Sequence, residues 1–373
     1  MTKEESTIMK GLAIILMYVH HLFYMSDRVI EYGIISLTPT DTLVKLGQYG
    51  NACITLFAFV SGYGLTKKYL LTRGQGKNWM KTVLKDILRL QLAVLIVLTV
   101  ALVVAQVLGT HTFSDVYLAE EGDDGLLNLL IDVSGMASLC GKVTYNASWW
   151  YLKMAIWIMI TVPLVNRLID LLEGERLDKQ RAEIGMGGVM LLWIFYVSHI
   201  LGLSKDVFFN FITLYGFFGL FVPCLGVLAA RTEVVEKIKG IRINACLKWV
   251  VCIALIFLGY FGWHYLGGRT KWLTAFLLTG YVFMSVLIAK VPFIRNVFLL
   301  LGRNSKYMYL CHSFFTGYFF KEHIYGFKYA GLIILMLVVY TLPLSMGFGW
   351  IEKMVVNGIA KIENFHIKHK EYY

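Results

Sequence analysis

The sequence predicts an all-α fold, a polytopic membrane helical bundle of about ten transmembrane helices with both termini cytoplasmic. Three observations predict it. Of the 373 residues, 58% are hydrophobic and only 16% are charged, whereas soluble domains carry roughly 25% charged residues. Apolar runs of about 20 residues recur along the chain. Lysine and arginine lie mostly in the short segments between these runs.

The apolar runs are the predicted spans, and each is long enough to cross a hydrocarbon core of about 30 Å as a helix. By residue number they are approximately 8–25, 46–66, 90–109, 149–166, 184–201, 207–229, 247–266, 272–289, 304–320 and 329–349. We expect residues 1–350 to form one membrane domain and residues 351–373 to form a basic cytoplasmic tail. An even number of spans places both ends of the chain on one side of the membrane.

The distribution of charge orients the bundle. The segment from Lys67 to Arg89 contains many basic residues and one acid, Asp86, so the positive-inside rule places it in the cytoplasm as a loop. The segment from Thr110 to Ala147 is instead rich in acids and is predicted to lie outside, as a lid or a partner-binding surface. Its apolar stretch GLLNLLIDV, residues 125–133, predicts an amphipathic helix at the membrane interface.

Composition also excludes several classes of function. The net charge of +11 does not indicate nucleic-acid binding, because the basic residues are dispersed between spans. The six cysteines are scattered and contain no Cys-x-x-Cys pair, so neither a disulfide framework nor a metal site is expected. No cleavable signal peptide is evident, and the first run is predicted to stay as a span of a multi-pass protein of the cell (inner, cytoplasmic) membrane. Asn146-Ala147-Ser148 matches a glycosylation motif, which we interpret as chance.

Ionisable residues inside the spans are candidates for function, because a lysine at the centre of a membrane helix costs about 2.5–3.5 kcal/mol on insertion scales. The candidates are Lys10, His20, His21, Lys153, His199 and His312. Each also has a structural interpretation. Lys10 and His199 lie near span ends, where a long or amphipathic side chain can reach the headgroups, and a buried histidine often serves only as a hydrogen-bonded structural group.

The first span allows a sharper inference. Eleven positions separate Lys10 from His21, which on a helix is a rotation of about 1,100° and a rise of about 16 Å. The two residues therefore share one face, with His21 expected halfway through the bilayer, whereas His20 points about 80° away from Lys10. This face suits a long ligand with an anionic head and a reactive tip.

Lysine, ten residues and histidine in this order resemble the first span of the acyltransferase family 3 membrane enzymes, in which arginine is commoner than lysine at the first position. Three further stretches resemble the same family: TLFAFVSGYGLTKKYLL with its Ser61-Gly62-Tyr63, SWWYLKMAIWIMI, and LGRNSKYMYLCHSFF, which runs to His312. One departure concerns the start of the third span. The family tends to carry Arg-x-x-Arg there, and this chain has Asp86 and Arg89, with Lys85 one position earlier.

The resemblance implies an O-acyltransferase that moves an acyl group, commonly acetyl, from cytoplasmic acyl-CoA to a hydroxyl of an extracytoplasmic glycan or lipid-linked acceptor. In this interpretation the phosphates of acetyl-CoA bind a set of cations, with charge-assisted hydrogen bonds. His21 acts as general base or as acyl carrier. Candidate oxyanion donors are Ser61, Tyr63, Tyr307 and His312. The donor-binding cations are Lys10, Lys67, Lys68, Lys85 and Arg89.

Other interpretations stay open. Ser61-Gly62 also fits a close helix contact, and Trp149, Trp150 and Tyr151 fit an interfacial aromatic belt. The strongest rival function is a secondary transporter or flippase for a lipid-linked glycan, and a non-catalytic membrane sensor or scaffold is a third. The outer segments are too short for the esterase-like domain that some relatives append. We therefore expect direct delivery to a membrane-bound or nearby glycan, or delivery to a separate extracytoplasmic partner protein. A homo-oligomer is also possible.

Overall fold

The computed structural model describes residues 1–119, 124–135, 137, 142–174, 212–241, 244–265 and 274–370. Within these ranges the regular secondary structure is helical. The β-type backbone pairing in the same ranges is one isolated bridge, between Ile35 and Tyr329. The all-α prediction is therefore confirmed. The fifth predicted span, 184–201, and its candidate His199 lie outside the described residues, as do the first residues of the sixth span.

Helices follow one another along the described residues, among them two π-helical segments and one 3₁₀ turn. In chain order they are α1 Lys3–Phe23, α2 Ser26–Glu31, α3 Thr40–Tyr49, α4 Ala52–Gly74, α5 Trp79–Leu108, α6 Phe113–Tyr117, α7 Gly125–Val133, the 3₁₀ turn Ala147–Trp149, α8 Trp150–Gly174, the π-helical segment Ile212–Phe221, α9 Val222–Arg231, α10 Val234–Lys239, α11 Ala245–Tyr265, α12 Thr274–Ile288, α13 Pro292–Ser313, the π-helical turn Phe314–Tyr318, α14 Lys321–Tyr325 and α15 Ala330–Lys370.

Several of these helices have the length and composition of membrane spans. In the part of the chain that the structure describes, five are long and apolar enough, and three shorter apolar helices accompany them. The five are Lys3–Phe23, Thr40–Gly74, Trp79–Leu108, Ala147–Glu173 and Ala330–Lys361. The chain is therefore an integral membrane helical bundle. The count of ten spans and the side on which the termini lie stay predictions.

Helix bounds differ from the predicted spans where charged residues extend a helix beyond its apolar run. The prediction of a loop from Lys67 to Arg89 is wrong: α4 continues to Gly74 and α5 begins at Trp79. Asn78 caps α5, since its side-chain oxygen accepts from the backbone N–H of Met80 at 2.9 Å. An apolar run marks only the part of a helix that fits the hydrocarbon core of a membrane. A helix with a basic, solvated end is longer than its apolar run.

Two other helices also begin earlier than their apolar runs predict. α13 begins at Pro292, where proline suits a first helical turn, although the apolar run predicts a start at 304. α1 runs from Lys3 to Phe23 instead of from 8 to 25. The last helix, α15, continues past residue 350 to Lys370.

The chain divides into two compact units. The first contains residues 1–20, 45–87 and 151–303, and the second contains residues 21–44, 88–150 and 304–373. The continuous helix α1 contributes to both, since the division falls between His20 and His21.

In the first unit, α4 and α9 approach each other at glycine. A side chain at Gly62 would clash with the carbonyl oxygen of Pro223, and one at Gly226 would clash with that of Phe59. The interpretation of Ser61-Gly62 as a close helix contact is confirmed at Gly62. Beside this contact the buried Arg231 donates to Asp170 at 2.8 Å, so an ion pair joins α9 to α8.

In the second unit, α7 coincides with the predicted helix GLLNLLIDV. Its polarity is inverted relative to a helix of a soluble protein, because its polar side chains are buried and its leucines are exposed. Asn128 and Asp132 are buried, while Leu126, Leu127 and Leu130 are exposed. Oδ2 of Asp132 accepts from the hydroxyl of Tyr117 at 2.7 Å and from the backbone N–H of Tyr145 at 2.8 Å. Burial raises the pKa of the Asp132 carboxyl, and these two donors oppose that shift.

Candidate active site

The second unit brings together two of the predicted site residues, His21 and His312. Their imidazole ring centroids lie 4.6 Å apart, with the ring planes at 51°. His21 is half-buried and His312 is fully buried. His21 lies in the last turn of α1, which ends two residues later at Phe23, and its depth in the bilayer stays a prediction.

The hydrogen bond of His312 determines which ring nitrogen carries the proton. Nδ1 lies 2.6 Å from the carbonyl oxygen of Tyr309, and because a carbonyl only accepts, Nδ1 must donate. In the neutral ring the lone pair is therefore on Nε2, which is the nitrogen able to take a proton. The helix changes to π-helical geometry at Phe314, two residues later, and such turns occur frequently at functional sites.

His20 has a different environment. Its Nδ1 donates to the carbonyl oxygen of Gly47 at 2.9 Å, within the first unit. At Gly50 the chain passes so close to α1 that a side chain there would clash with the carbonyl oxygen of Leu16 and with His20 itself. The adjacent histidines therefore do not share one set of contacts.

A short segment holds the part of the chain that carries His312. We call residues 145–149 the strap. The hydroxyl of Tyr309 donates to the Ser148 carbonyl at 2.7 Å, and the indole N–H of Trp149 donates to the Leu310 carbonyl at 2.9 Å. Tyr309 thus orients the His312 ring through its carbonyl while its own hydroxyl is anchored to the strap.

The strap also excludes glycosylation at its sequon. The side-chain amide of Asn146 is fully buried and donates to the hydroxyl of Ser313 at 2.5 Å. The backbone N–H of Ala147 donates to the hydroxyl of Tyr318 at 2.9 Å. The interpretation of the Asn-Ala-Ser motif as chance is confirmed, because a glycan cannot be attached to a buried amide.

Arg28 and Tyr325 are site residues that the sequence interpretation missed. Nη1 of Arg28 donates to the carbonyl oxygen of His21 at 3.1 Å, and the hydroxyl of Tyr325 donates to that of Leu22 at 3.1 Å. These carbonyls belong to the last turn of α1, where a helix has no partners of its own. Nη1 of Arg28 also lies 3.5 Å from the carbonyl oxygen of Thr316, in the turn that follows His312.

A signal for Arg28 was present in the sequence. Basic residues near a helix C-terminus often bind the last carbonyls, and Arg28 follows the end of α1 by five positions. No comparable signal marks Tyr325, because its position beside Leu22 results from the tertiary structure alone.

The predicted donor-binding cations differ in ion pairing and in exposure. Nζ of Lys68 lies 2.5 Å from Oδ2 and 2.6 Å from Oδ1 of Asp86. The acid that stands where the family tends to have arginine therefore neutralises one predicted cation. Lys67 is exposed, with its Nζ 5.8 Å from the centre of the Tyr63 ring. Lys85 and Arg89 are exposed on α5, and Lys10 is half-buried on α1.

Three of the predicted oxyanion donors have other surroundings. The hydroxyl of Tyr63 donates to the carbonyl oxygen of Met1 at 3.0 Å, and Ser61 is half-buried on α4. Both belong to the first unit, whereas both histidines belong to the second. The hydroxyl of Tyr307 donates to Glu352 at 3.0 Å. The catalytic roles of Ser61 and Tyr63 stay predictions.

No cluster of three or more histidine, cysteine, aspartate or glutamate side chains suited to a metal ion is found among the residues described. Lys153, the remaining candidate within a span, is half-buried on α8.

A family model described as an acyltransferase domain, that of acyltransferase family 3, matches residues 4–350. The chain belongs to this family. The resemblance seen in the motifs is confirmed, and the histidine pair lies in a membrane acyltransferase. Neither the curated proteins nor the solved structures compared with this acyltransferase gave a match.

Proposed function

We propose that this acyltransferase moves an acyl group, acetyl in the simplest case, from cytoplasmic acyl-CoA to a hydroxyl of an extracytoplasmic glycan or lipid-linked acceptor. The observation that supports it is the contact of the His21 and His312 rings at 4.6 Å in a chain of this family. Acyl transfer to a hydroxyl needs a base that works near neutral pH, and imidazole supplies one.

The reaction balances without a further reagent. The acceptor oxygen forms a bond to the thioester carbonyl carbon, and the carbon–sulfur bond breaks. The hydroxyl proton goes to an imidazole, and the departing thiolate takes up a proton to leave as the free thiol. A positioned base of this kind contributes about 10²–10⁴-fold to the rate.

Two routes use the pair differently. In the first, the half-buried His21 takes the hydroxyl proton directly, and His312 supports the resulting imidazolium through Nε2. In the second, His21 accepts the acyl group on a ring nitrogen, and the acceptor hydroxyl then displaces it with His312 as base. Both routes need the tautomer that the Tyr309 carbonyl imposes on His312.

The donor end of the reaction is assigned to cations. Lys10 lies eleven positions before His21 on the continuous helix α1, about 16 Å along its axis. Lys67, Lys85 and Arg89 are exposed and suit a polyanion such as coenzyme A. Lysine at position 10 keeps the charge that arginine would supply but gives up bidentate geometry.

The test is an assay of CoA release and of transfer from acetyl-CoA, with the protein in lipid nanodiscs. The wild type should bind acetyl-CoA and release CoA, and His21→Ala should abolish release while binding persists. His20→Ala is the matched control, because it removes the neighbouring imidazole. A wild type that binds no acyl-CoA, yet moves a glycolipid across vesicles, would establish the transporter instead.

A further inference from the structure

The histidine pair supplies bases, but acyl transfer also needs a hydrogen-bond donor for the oxyanion that forms on the carbonyl oxygen. Two of the predicted donors, Tyr307 and His312, belong to the second unit. The Tyr307 hydroxyl donates to Glu352 at 3.0 Å. The single N–H of a neutral His312 ring donates to the Tyr309 carbonyl. The donor for the oxyanion therefore has to come from another residue.

Ser313, the residue after His312, has a buried hydroxyl and is 2% exposed. Its Oγ accepts from the side-chain amide of Asn146 at 2.5 Å. The orientation of that amide is fixed, because its Oδ1 accepts from the backbone N–H of Ser148 at 3.0 Å. An amide N–H only donates, so the hydroxyl hydrogen of Ser313 is left to donate elsewhere. Among the residues that the structure describes, Asn146 is the hydrogen-bond partner found for this hydroxyl.

The helix that carries Ser313 offers that hydrogen no acceptor. A helical serine commonly donates to a carbonyl three or four residues earlier, here that of Leu310 or Tyr309. The Leu310 carbonyl accepts from the indole N–H of Trp149 at 2.9 Å, and the Tyr309 carbonyl accepts from Nδ1 of His312 at 2.6 Å. Helical bonding gives each carbonyl a backbone N–H as well, and a carbonyl oxygen has two lone pairs. Both acceptors are therefore full.

The same contacts place the hydroxyl beside the histidine pair. Nδ1 of His312 bonds to the Tyr309 carbonyl, and in the helical pattern of α13 the backbone N–H of Ser313 bonds to the same oxygen. The imidazole and the serine thus converge on one atom. The His21 ring lies against the His312 ring, 4.6 Å between centroids. An acyl carbonyl that enters beside the half-buried His21 meets this turn of α13.

We propose that the hydroxyl of Ser313 is the oxyanion donor of the acyl transfer and that Asn146 positions it. The inference rests on the proposed function. The acceptor oxygen, or the His21 nitrogen in the two-step route, forms a bond to the thioester carbonyl carbon. The carbonyl electron pair moves onto oxygen, which accepts the hydrogen bond of Ser313. When the C=O bond re-forms, the carbon–sulfur bond breaks and the departing thiolate takes up a proton. Ser313 keeps its own proton throughout.

Burial and the bond from Asn146 both favour this role. A hydroxyl that accepts a hydrogen bond becomes a stronger donor, because bonds in a chain polarise one another. The amide holds the Ser313 oxygen before the reaction begins, so little reorganisation is needed when charge develops. Removal of one oxyanion donor typically lowers kcat by about 10²–10³-fold, and this sets the effect expected at Ser313.

The first test compares Ser313→Ala with the wild type in nanodiscs, by the rate of CoA release from acetyl-CoA. Ser313→Ala should lower kcat by about 10²–10³-fold. The KM for acetyl-CoA and the apparent pKa values of the pH–rate profile should stay unchanged, because neither a binding group nor a base is removed. Ser285→Ala is the matched control. Ser285 is also fully buried in a helix, and its hydroxyl donates to the Val282 carbonyl at 2.8 Å, so its loss should leave kcat intact.

A second variant tests the positioning by Asn146. Asn146→Asp keeps an acceptor for the Ser148 N–H but turns an oxygen towards Ser313, whose hydroxyl then donates to that oxygen instead of to the oxyanion. Its kcat should fall with that of Ser313→Ala, and the double variant should be hardly slower than Ser313→Ala, because both changes remove one interaction. Should Asn146→Asp fail to fold, Asn146→Ala removes the amide without adding a charge and should show the same lack of additivity.

Three results would overturn the inference and leave the proposed function standing. They are a kcat of Ser313→Ala equal to that of Ser285→Ala, a raised KM with kcat intact, and a loss confined to the amount of folded protein. Additive losses in the double variant would overturn the role of Asn146. A wild type that neither binds acetyl-CoA nor releases CoA would instead reject the proposed function, and the inference with it.

Discussion

Nη1 of Arg28 donates to the carbonyl oxygen of His21 at 3.1 Å and lies 3.5 Å from that of Thr316, four residues after His312. Arg28 therefore binds both of the segments that carry the histidine pair. We interpret it as a positioning residue, which acts on the reaction by holding the last turn of α1 next to the π-helical turn.

Arg28→Gln should lower kcat by about 10-fold or more while leaving the KM for acetyl-CoA nearly unchanged, because a small displacement of catalytic groups costs rate rather than donor binding. Arg28→Lys should recover part of kcat, since it keeps the charge and one donor. A loss confined to the amount of folded protein, with kcat intact, would contradict the positioning role.

Tyr325→Phe removes the hydrogen bond to the Leu22 carbonyl and should also lower kcat, with a loss of about 1 kcal/mol in the free energy of unfolding. Tyr329→Phe is the control, since Tyr329 is exposed nearby in the chain. Equal kcat values in the two variants would exclude a role for the Tyr325 hydroxyl.

Substitution of His20 and of His21 in turn distinguishes a structural role from a catalytic one. His21→Ala should reduce transfer by about 10²–10⁴-fold. His20→Ala should keep kcat and lower the free energy of unfolding by about 1 kcal/mol, because it loses the bond to the Gly47 carbonyl. Steady-state rates and denaturant titrations measure the two effects. The opposite pattern, with activity lost only in His20→Ala, would refute the assignment.

His312→Asn is designed to keep a donor near the Tyr309 carbonyl and to remove the basic nitrogen. We expect a folded protein with little transfer, and a double variant with His21→Ala that is hardly worse than His21→Ala alone, because the two rings act as a unit. Full activity in His312→Asn would show that His312 only supports the fold. Rate measurements on the two single variants and the double variant decide between these outcomes.

Asp86→Asn should release Lys68 from its ion pair and increase affinity for acetyl-CoA. A partly exposed charge contact is worth up to about 1 kcal/mol, which corresponds to about fivefold in affinity, and the gain should shrink at high salt. Asp41→Asn removes an acid from an exposed position on α3 and is the control for net charge. Unchanged binding in Asp86→Asn would place the CoA phosphates away from Lys68.

Asp132 predicts a pH dependence of stability. Because burial raises the pKa of its carboxyl in the folded protein, the group contributes stability at low pH that is lost as the pH rises through the raised pKa. Asp132→Asn keeps an acceptor for Tyr117 and Tyr145 and should remove this loss. Thermal unfolding between acid and neutral pH measures it. A wild type and a variant with parallel pH profiles would contradict the prediction.

Much of the fold was predictable from the sequence, because burial in hydrocarbon imposes a simple rule on composition. Apolar runs located α1, α8 and α15, and the stretch GLLNLLIDV gave α7 residue for residue. The rule failed at the starts of α5 and α13, where basic residues continue a helix beyond the apolar run. It also gave no account of the inverted polarity of α7, which depends on the partners of Asp132.

The sequence by itself determined the membrane class, the family motifs and the helical register that puts His21, and not His20, on the face of Lys10, because these follow from local patterns. Only the tertiary structure decided that the His312 ring contacts His21, that Arg28 and Tyr325 bind the last carbonyls of α1, and that Asp86 forms an ion pair with Lys68. These contacts join residues far apart in the chain, and no local pattern encodes which distant side chain satisfies a given carbonyl or charge.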